Sequence, residues 1–153
     1  KNRQRGFTLI EILIVIGIIA ILAAVVIVAI NPAKHFSEAN NSVRQANVEA
    51  IANAVTQYRI AKKGALPSTI GETAKEICIT GTTPATCTAG DLIDLTSVTT
   101  GGTYGLETIP LDPLCPDSCA TSGVGYNIKK TSANKVVVCA PDAELSATIC
   151  TTL

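Results

Sequence analysis

Lys1-Asn2-Arg3-Gln4-Arg5-Gly6-Phe7-Thr8-Leu9-Ile10-Glu11 leads without interruption into nineteen apolar residues, Ile12 to Ile30. Nineteen residues at the rise of an α-helix cover about 28 Å, close to the ~30 Å hydrocarbon core of a bilayer. A cleavable secretory signal has a shorter apolar region closed by a small-x-small site, and no Ala-x-Ala occurs near Ile30. The stretch therefore reads as a spanning helix. Its anomaly is Glu11, a carboxylate at the mouth of a segment in which a charge is costly.

Direction follows from the basic residues. Lys1, Arg3 and Arg5 precede the span, whereas Asn31 to Gln45 carries only Lys34 and Arg44, offset by Glu38. The leader is thus expected on the cytoplasmic side of the inner membrane and everything after Ile30 outside it. Within the span, Gly17, Ala20 and Ala24 fall near one helical face. Small residues so spaced permit close helix approach in lipid, although Gly and Ala are common in any membrane helix.

Beyond the span, Asn31-Pro32 reads either as an N-cap with Pro in the first turn or as a kink within one longer helix. Phe36, Ala39, Val43, Ala46, Ala50, Ala54 and Tyr58 recur every three or four residues. They predict an amphipathic helix with Lys34, Arg44, Glu49 and Arg59 off its apolar stripe, stopped by Gly64 and Pro67. From Ala65 to Gly102 turn residues dominate, with one helical turn expected over Thr73–Ile77. Strand patterns occur over Gly125–Lys129 and Lys135–Ala140, joined by a turn at Thr131–Asn134, and Tyr104–Ile109 is a candidate third strand. The expected fold is α+β: a long N-terminal hydrophobic helix as a stalk and a small C-terminal head of short antiparallel strands. The divisions are a leader at 1–6, a spanning helix at 7–30, its amphipathic continuation at 31–63 and an exported head at 64–153.

Gly6-Phe7-Thr8-Leu9-Ile10-Glu11, with basic residues before it and the apolar run after it, resembles the type III signal of bacterial type IV pilins and type II secretion pseudopilins. The resemblance covers Arg5 to Ile30, and the helix-then-strand layout that follows is similar at the level of pattern. It implies cleavage by a prepilin peptidase between Gly6 and Phe7 and methylation of the new Phe7 amine. It also implies that Glu11 pairs with the Phe7 amine of a neighbouring subunit. The implied partners are other copies of the chain, the peptidase, and an assembly platform with its ATPase. The implied product is a pilus or secretion-type filament, with the cytoplasmic membrane as its reservoir. Thr8 to Glu11 also fits a capping box, a role compatible with assembly. A tip-located adhesin or DNA-uptake subunit is the alternative of a different class.

Ile109-Pro110-Leu111-Asp112-Pro113 followed by Gly125-Tyr126 is similar to a segment of major pseudopilins, although Cys115-Pro116 stands where an aromatic-Gly pair is usual. Asp112 and Asp117 are accordingly candidate calcium ligands, with turn-forming Asp beside Pro as the alternative. No other cofactor is expected.

Export places Cys78, Cys87, Cys115, Cys119, Cys139 and Cys150 in an oxidising compartment, and a head with few aromatic residues benefits from cross-links. Their spacings, with turns between, favour the sequence-local pairs Cys78–Cys87, Cys115–Cys119 and Cys139–Cys150 among the alternatives. Structural zinc is disfavoured by the absence of C-x-x-C and by a single histidine, His35. The chain has no hydrolytic triad set, no phosphate loop and no dinucleotide fingerprint, so it does not read as an enzyme. Removing Lys1, Arg3 and Arg5 leaves nine basic residues against twelve acidic ones. That balance gives no reason to expect specific nucleic-acid binding.

Overall fold

The structure, a computed structural model, describes residues 6–153. The chain divides into two compact units, one ending at Phe36 and the other spanning Ser37–Leu153.

The first unit is dominated by helix α1, Leu9–Ala29. The uniform Ile, Leu and Val content leaves no polar side to turn inward, and large side chains all around the helix, such as Ile10, Val15, Ile19 and Val25, are exposed. A helix apolar on every side must be covered by lipid or by protein. Leu9–Val28 is long and apolar enough to cross a membrane and fits a single-pass anchor near the N-terminus. The helix ends at Ile30, whose N–H donates to the Val26 carbonyl at 3.1 Å. A second helix, α2, Pro32–Ala61, starts immediately. The Asn31 side chain accepts from the Lys34 N–H and Pro32 occupies the first turn, so the Asn-Pro pair starts a new helix.

In the second unit, Val48, Ile51, Ala52 and Val55 place the buried face of α2 against a four-stranded antiparallel sheet. Its strands, in order across the sheet, are β1 Lys75–Cys78, β2 Gly123–Lys130, β3 Val136–Ala140 and β4 Ile149–Thr152. Val124, Tyr126 and Ile128 alternate inward on β2, and Val136, Val138 and Ala140 do so on β3. Two short helices, α3 Pro84–Ala89 and α4 Thr96–Thr99, lie in the connection between β1 and β2. The α+β arrangement with a long apolar helix ahead of a small sheet is the expected one.

Several local expectations are corrected. Thr73–Ile77 is not a helical turn: it contributes to β1, where Glu76 aligns with Asn127 and the buried Ile77 sets the face. Tyr104–Ile109 forms no strand, because Gly105 takes φ +79° and Ile109 turns into the core with its N–H bonded to Thr80 Oγ1. Strand β4, Ile149–Thr152, is additional to the strands expected from the sequence. The Thr131–Asn134 turn does close the β2–β3 hairpin, with Asn134 in the left-handed region at φ +56°.

The largest correction concerns α2. Phe36 and Val43 are exposed, as are Ala39 and Ala46, while Arg44 is fully buried. The first half of the helix turns its polar face, not its apolar stripe, toward the rest of the head. The reason lies in the partners that Arg44 meets, described below.

Disulfides join Cys78 to Cys87, Cys115 to Cys119 and Cys139 to Cys150. The first ties the end of β1 to α3, and the third links β3 to β4 directly across the ladder. Gly125 fixes the middle loop against the sheet. It has φ +82°, and an added Cβ would lie 2.6 Å from Asp112 Cβ and 2.9 Å from Cys119 Sγ. Gly125→Ala is therefore expected to destabilise the head by roughly 3 kcal/mol, combining left-handed strain and overpacking. Denaturant unfolding of the detergent-solubilised chain measures this, and a loss within experimental error of zero would contradict it.

Candidate functional site

At the N-terminal site, Thr8 sits at the N-cap of α1 with extended backbone angles (φ −81°, ψ 155°). Its Oγ1 accepts from the Glu11 N–H at 3.3 Å. The Glu11 Oε2 in turn accepts from the Thr8 N–H and the Thr8 Oγ1, both at 2.8 Å. The capping box read from Thr8-Leu9-Ile10-Glu11 is thus formed. It uses one carboxylate oxygen, and Oε1 accepts nothing from the described residues. Gly6 and Phe7 precede the helix in exposed, non-helical chain, with Phe7 85% exposed. Phe7, Glu11, Ile12, Ile14 and Val15 line a shallow open groove. This arrangement offers an accessible peptide bond between Gly6 and Phe7 and an available anionic oxygen one helical turn into an apolar surface. Lys1 to Arg5 of the expected leader lie outside the described residues.

A second polar cluster lies in the head, and its members were not recognised from sequence as a group. Arg44 Nε donates to Asp112 Oδ2 at 2.6 Å and an Nη donates to Asp112 Oδ1 at 3.1 Å. The other Nη reaches Glu144 Oε2 at 2.9 Å and Asn41 Oδ1 at 3.1 Å. Ser37 Oγ and Asn40 Nδ2 also donate to Glu144, at 2.8 and 2.9 Å. The Asn41 side chain brackets the Glu144 backbone, accepting from its N–H and donating to its carbonyl. Two loops distant in sequence are thereby fastened to one helical face. A bidentate guanidinium–carboxylate pair is the geometry in which a buried charge is best compensated.

The cluster shifts its members' proton affinities in the expected senses. The hydrogen bond to Asp112 raises the Arg44 pKa further above its already high value. Donation from Asn40, Ser37 and Arg44 holds Glu144 below the ordinary carboxylate range. Burial pushes the Tyr126 hydroxyl up, opposed by the hydrogen bond from Asn47. Because the folded pKa of Glu144 is depressed, its contribution is present above the unfolded value of about 4.3 and is lost as pH falls through the folded pKa. Wild type is expected to exceed Glu144→Gln in stability at pH 7, with the gap closing below about pH 4. Denaturation midpoints of both chains across pH 3–7 test this, and a constant gap would contradict it.

Asp112 has both oxygens engaged by Arg44, and Oδ1 also accepts from the Leu114 N–H at 2.9 Å. Asp117 is exposed. Among the described residues no group of three or more His, Cys, Asp and Glu side chains is placed to hold a metal ion. The structure assigns Asp112 the role of counter-ion to a buried arginine. Helical spacing was the available signal, since Ser37, Asn40, Asn41 and Arg44 share one face and point to a polar partner across it.

A family model, the prokaryotic N-terminal methylation motif, matches residues 1–27. No curated protein and no solved structure matches the chain. The matched residues contain the Gly6-Phe7 junction, the Thr8–Glu11 capping box and most of α1. This motif is a structural rather than a catalytic signature, and it implies processing by prepilin peptidase and assembly into a pilus-type filament. Residues 1–27 thus carry the N-terminal methylation motif, the prepilin signal of type IV pilins and pseudopilins.

Proposed function

We propose that the chain is a structural subunit of a type IV pilus or pilus-like filament, cleaved after Gly6, methylated at Phe7 and polymerised through α1. One observation carries the reading. The methylation motif at residues 1–27 coincides with a helix whose apolar surface is uncovered on every side. Before assembly, lipid covers that surface. In the filament, the same surface meets α1 of other copies, and the Glu11 oxygen left open by the capping box meets the methylated amine of a neighbouring Phe7. Opposite charge there offsets part of the ~2.5–3.5 kcal/mol cost of a carboxylate within hydrocarbon.

Co-expression with a prepilin peptidase, followed by mass spectrometry of the N-terminal peptide, tests the first step. The expected product begins at N-methyl-Phe7, and a chain retaining Lys1–Gly6 would contradict the proposal.

A pseudopilin role is the second reading. Asp112, in the Pro110–Pro113 segment, packs directly against Gly125, next to Tyr126. The two stretches that are similar to major pseudopilins therefore touch each other. The readings differ in whether filaments reach the cell surface, which immunogold labelling of intact cells decides.

A further inference from the structure

The charges of the head are sorted toward opposite ends of α2. At one end, Arg59 lines a cavity together with Val136 and Leu153. Val136 aligns with Lys130 in the β2–β3 ladder and follows Lys135 at the hairpin turn. Lys62 and Lys63 close α2 beside Arg59, and Lys129 occupies the adjacent hairpin position. Among acidic side chains, Glu72 lies near these six cations, next to Gly71, whose carbonyl accepts from the Lys130 N–H. Lys62 lies 5.9 Å over the Tyr58 ring. Among the described residues, no carboxylate pairs with the other five.

At the opposite end Arg44 gathers Asp112 and Glu144. Asp142 and Asp117, exposed on the loops that carry those two acids, add to them. Asp112, Glu144, Asp142 and Asp117 thus outnumber the Arg44 guanidinium four to one. From Arg44 to Arg59, α2 rises by about 22 Å. This exceeds two Debye lengths at physiological ionic strength (about 8 Å each), so the two ends do not neutralise each other within one head.

We infer that the basic end of one head docks on the acidic end of another copy, and that this contact fixes the offset along α2 between the two copies it joins. The inference rests on the filament reading and adds the surfaces by which heads recognise each other. Copies related by a screw operation keep the same orientation. Side by side without offset they oppose like charges, and shifted along α2 they oppose unlike ones. Such a heterologous contact propagates without closing. A polyanion would match the basic end alone and be repelled by the other, so a second copy is the better complement.

The test uses full-length chains in cells that provide the peptidase and assembly machinery. A basic-end variant (Lys129→Glu, Lys130→Glu, Lys135→Glu) and an acidic-end variant (Asp117→Lys, Asp142→Lys) are each expected to lower filament yield about tenfold or more, with processed chain in the membrane unchanged. Combining the two sets is expected to restore yield to within about threefold. Wild-type filaments with no loss in either single set, or no recovery in the combination, would overturn the inference.

In parallel, isotope-labelled and unlabelled wild-type chains are mixed in detergent and treated with a carbodiimide. Mixed-label links between hairpin lysines and Asp142 or Asp117 support the contact even if filaments fail, which separates this inference from the filament reading. Absence of such links without filaments would overturn it. So would a labelled oligonucleotide held by wild type and lost in the basic-end variant, with filament yield unaffected.

Discussion

Glu11→Ala is expected to leave cleavage between Gly6 and Phe7 intact and to reduce filament yield at least about tenfold, the factor that ~1.4 kcal/mol represents. Two effects of the substitution must be separated. Loss of the reciprocal bond between Glu11 and Thr8 weakens the helix start by about 0.5–2 kcal/mol. Loss of the carboxylate removes the charge proposed to meet the Phe7 amine of the next copy.

Glu11→Gln separates them, because a glutamine at the third helical position still completes a capping box but carries no charge. The proposal expects the Gln chain to assemble as poorly as the Ala chain. It expects Thr8→Ala, which removes only the hydroxyl side of the box, to assemble nearly normally. Normal filament yield from Glu11→Gln would assign Glu11 to capping alone.

Arg44→Leu carries the largest expected stability effect in the head. The guanidinium is fully buried, and its removal leaves the Asp112 carboxylate, only 3% exposed, without its counter-ion. Breaking one side of such a pair costs about 3–5 kcal/mol. That is a large share of the roughly 5–15 kcal/mol that holds a typical domain together. Replacing both partners, as in Arg44→Leu with Asp112→Leu, removes the orphaned charge and is expected to recover much of the loss. Denaturant unfolding of wild type, both single variants and the double variant in detergent measures the cycle. Additive losses from the two substitutions would show that the pair is not coupled.

The same cluster explains which features were legible in the sequence. Helix α1 could be read directly because Leu9–Val28, nineteen apolar residues and one acid, admits few alternatives. The capping box could be read because its two members are three residues apart. The polar face of α2 could not, because apolar spacing points to the opposite side of the helix as the inward one. Phe36, Ala39, Val43 and Ala46 satisfied that spacing yet face outward. Arg44 is drawn in by carboxylates 68 and 100 residues away, and no local window contains them.

Strands β1 and β4, each four residues long, are likewise products of pairing more than of pattern. Glu76 on β1 accepts from the Gly125 and Ala120 N–H groups, and Cys150 on β4 is bridged to Cys139. At the N-terminal site the order of residues carried the information. In the head it was carried by contacts distant in sequence.

The central claim is that the processed chain is the substance of a filament. Its most direct test is mass spectrometry of filaments sheared from cells that express the chain with peptidase and assembly machinery, with electron microscopy of the same material. The account predicts filaments whose dominant protein is this chain, with an N-terminal peptide that starts at N-methyl-Phe7. Filaments that lack the chain, or that contain it with Lys1–Gly6 still attached, would contradict the account.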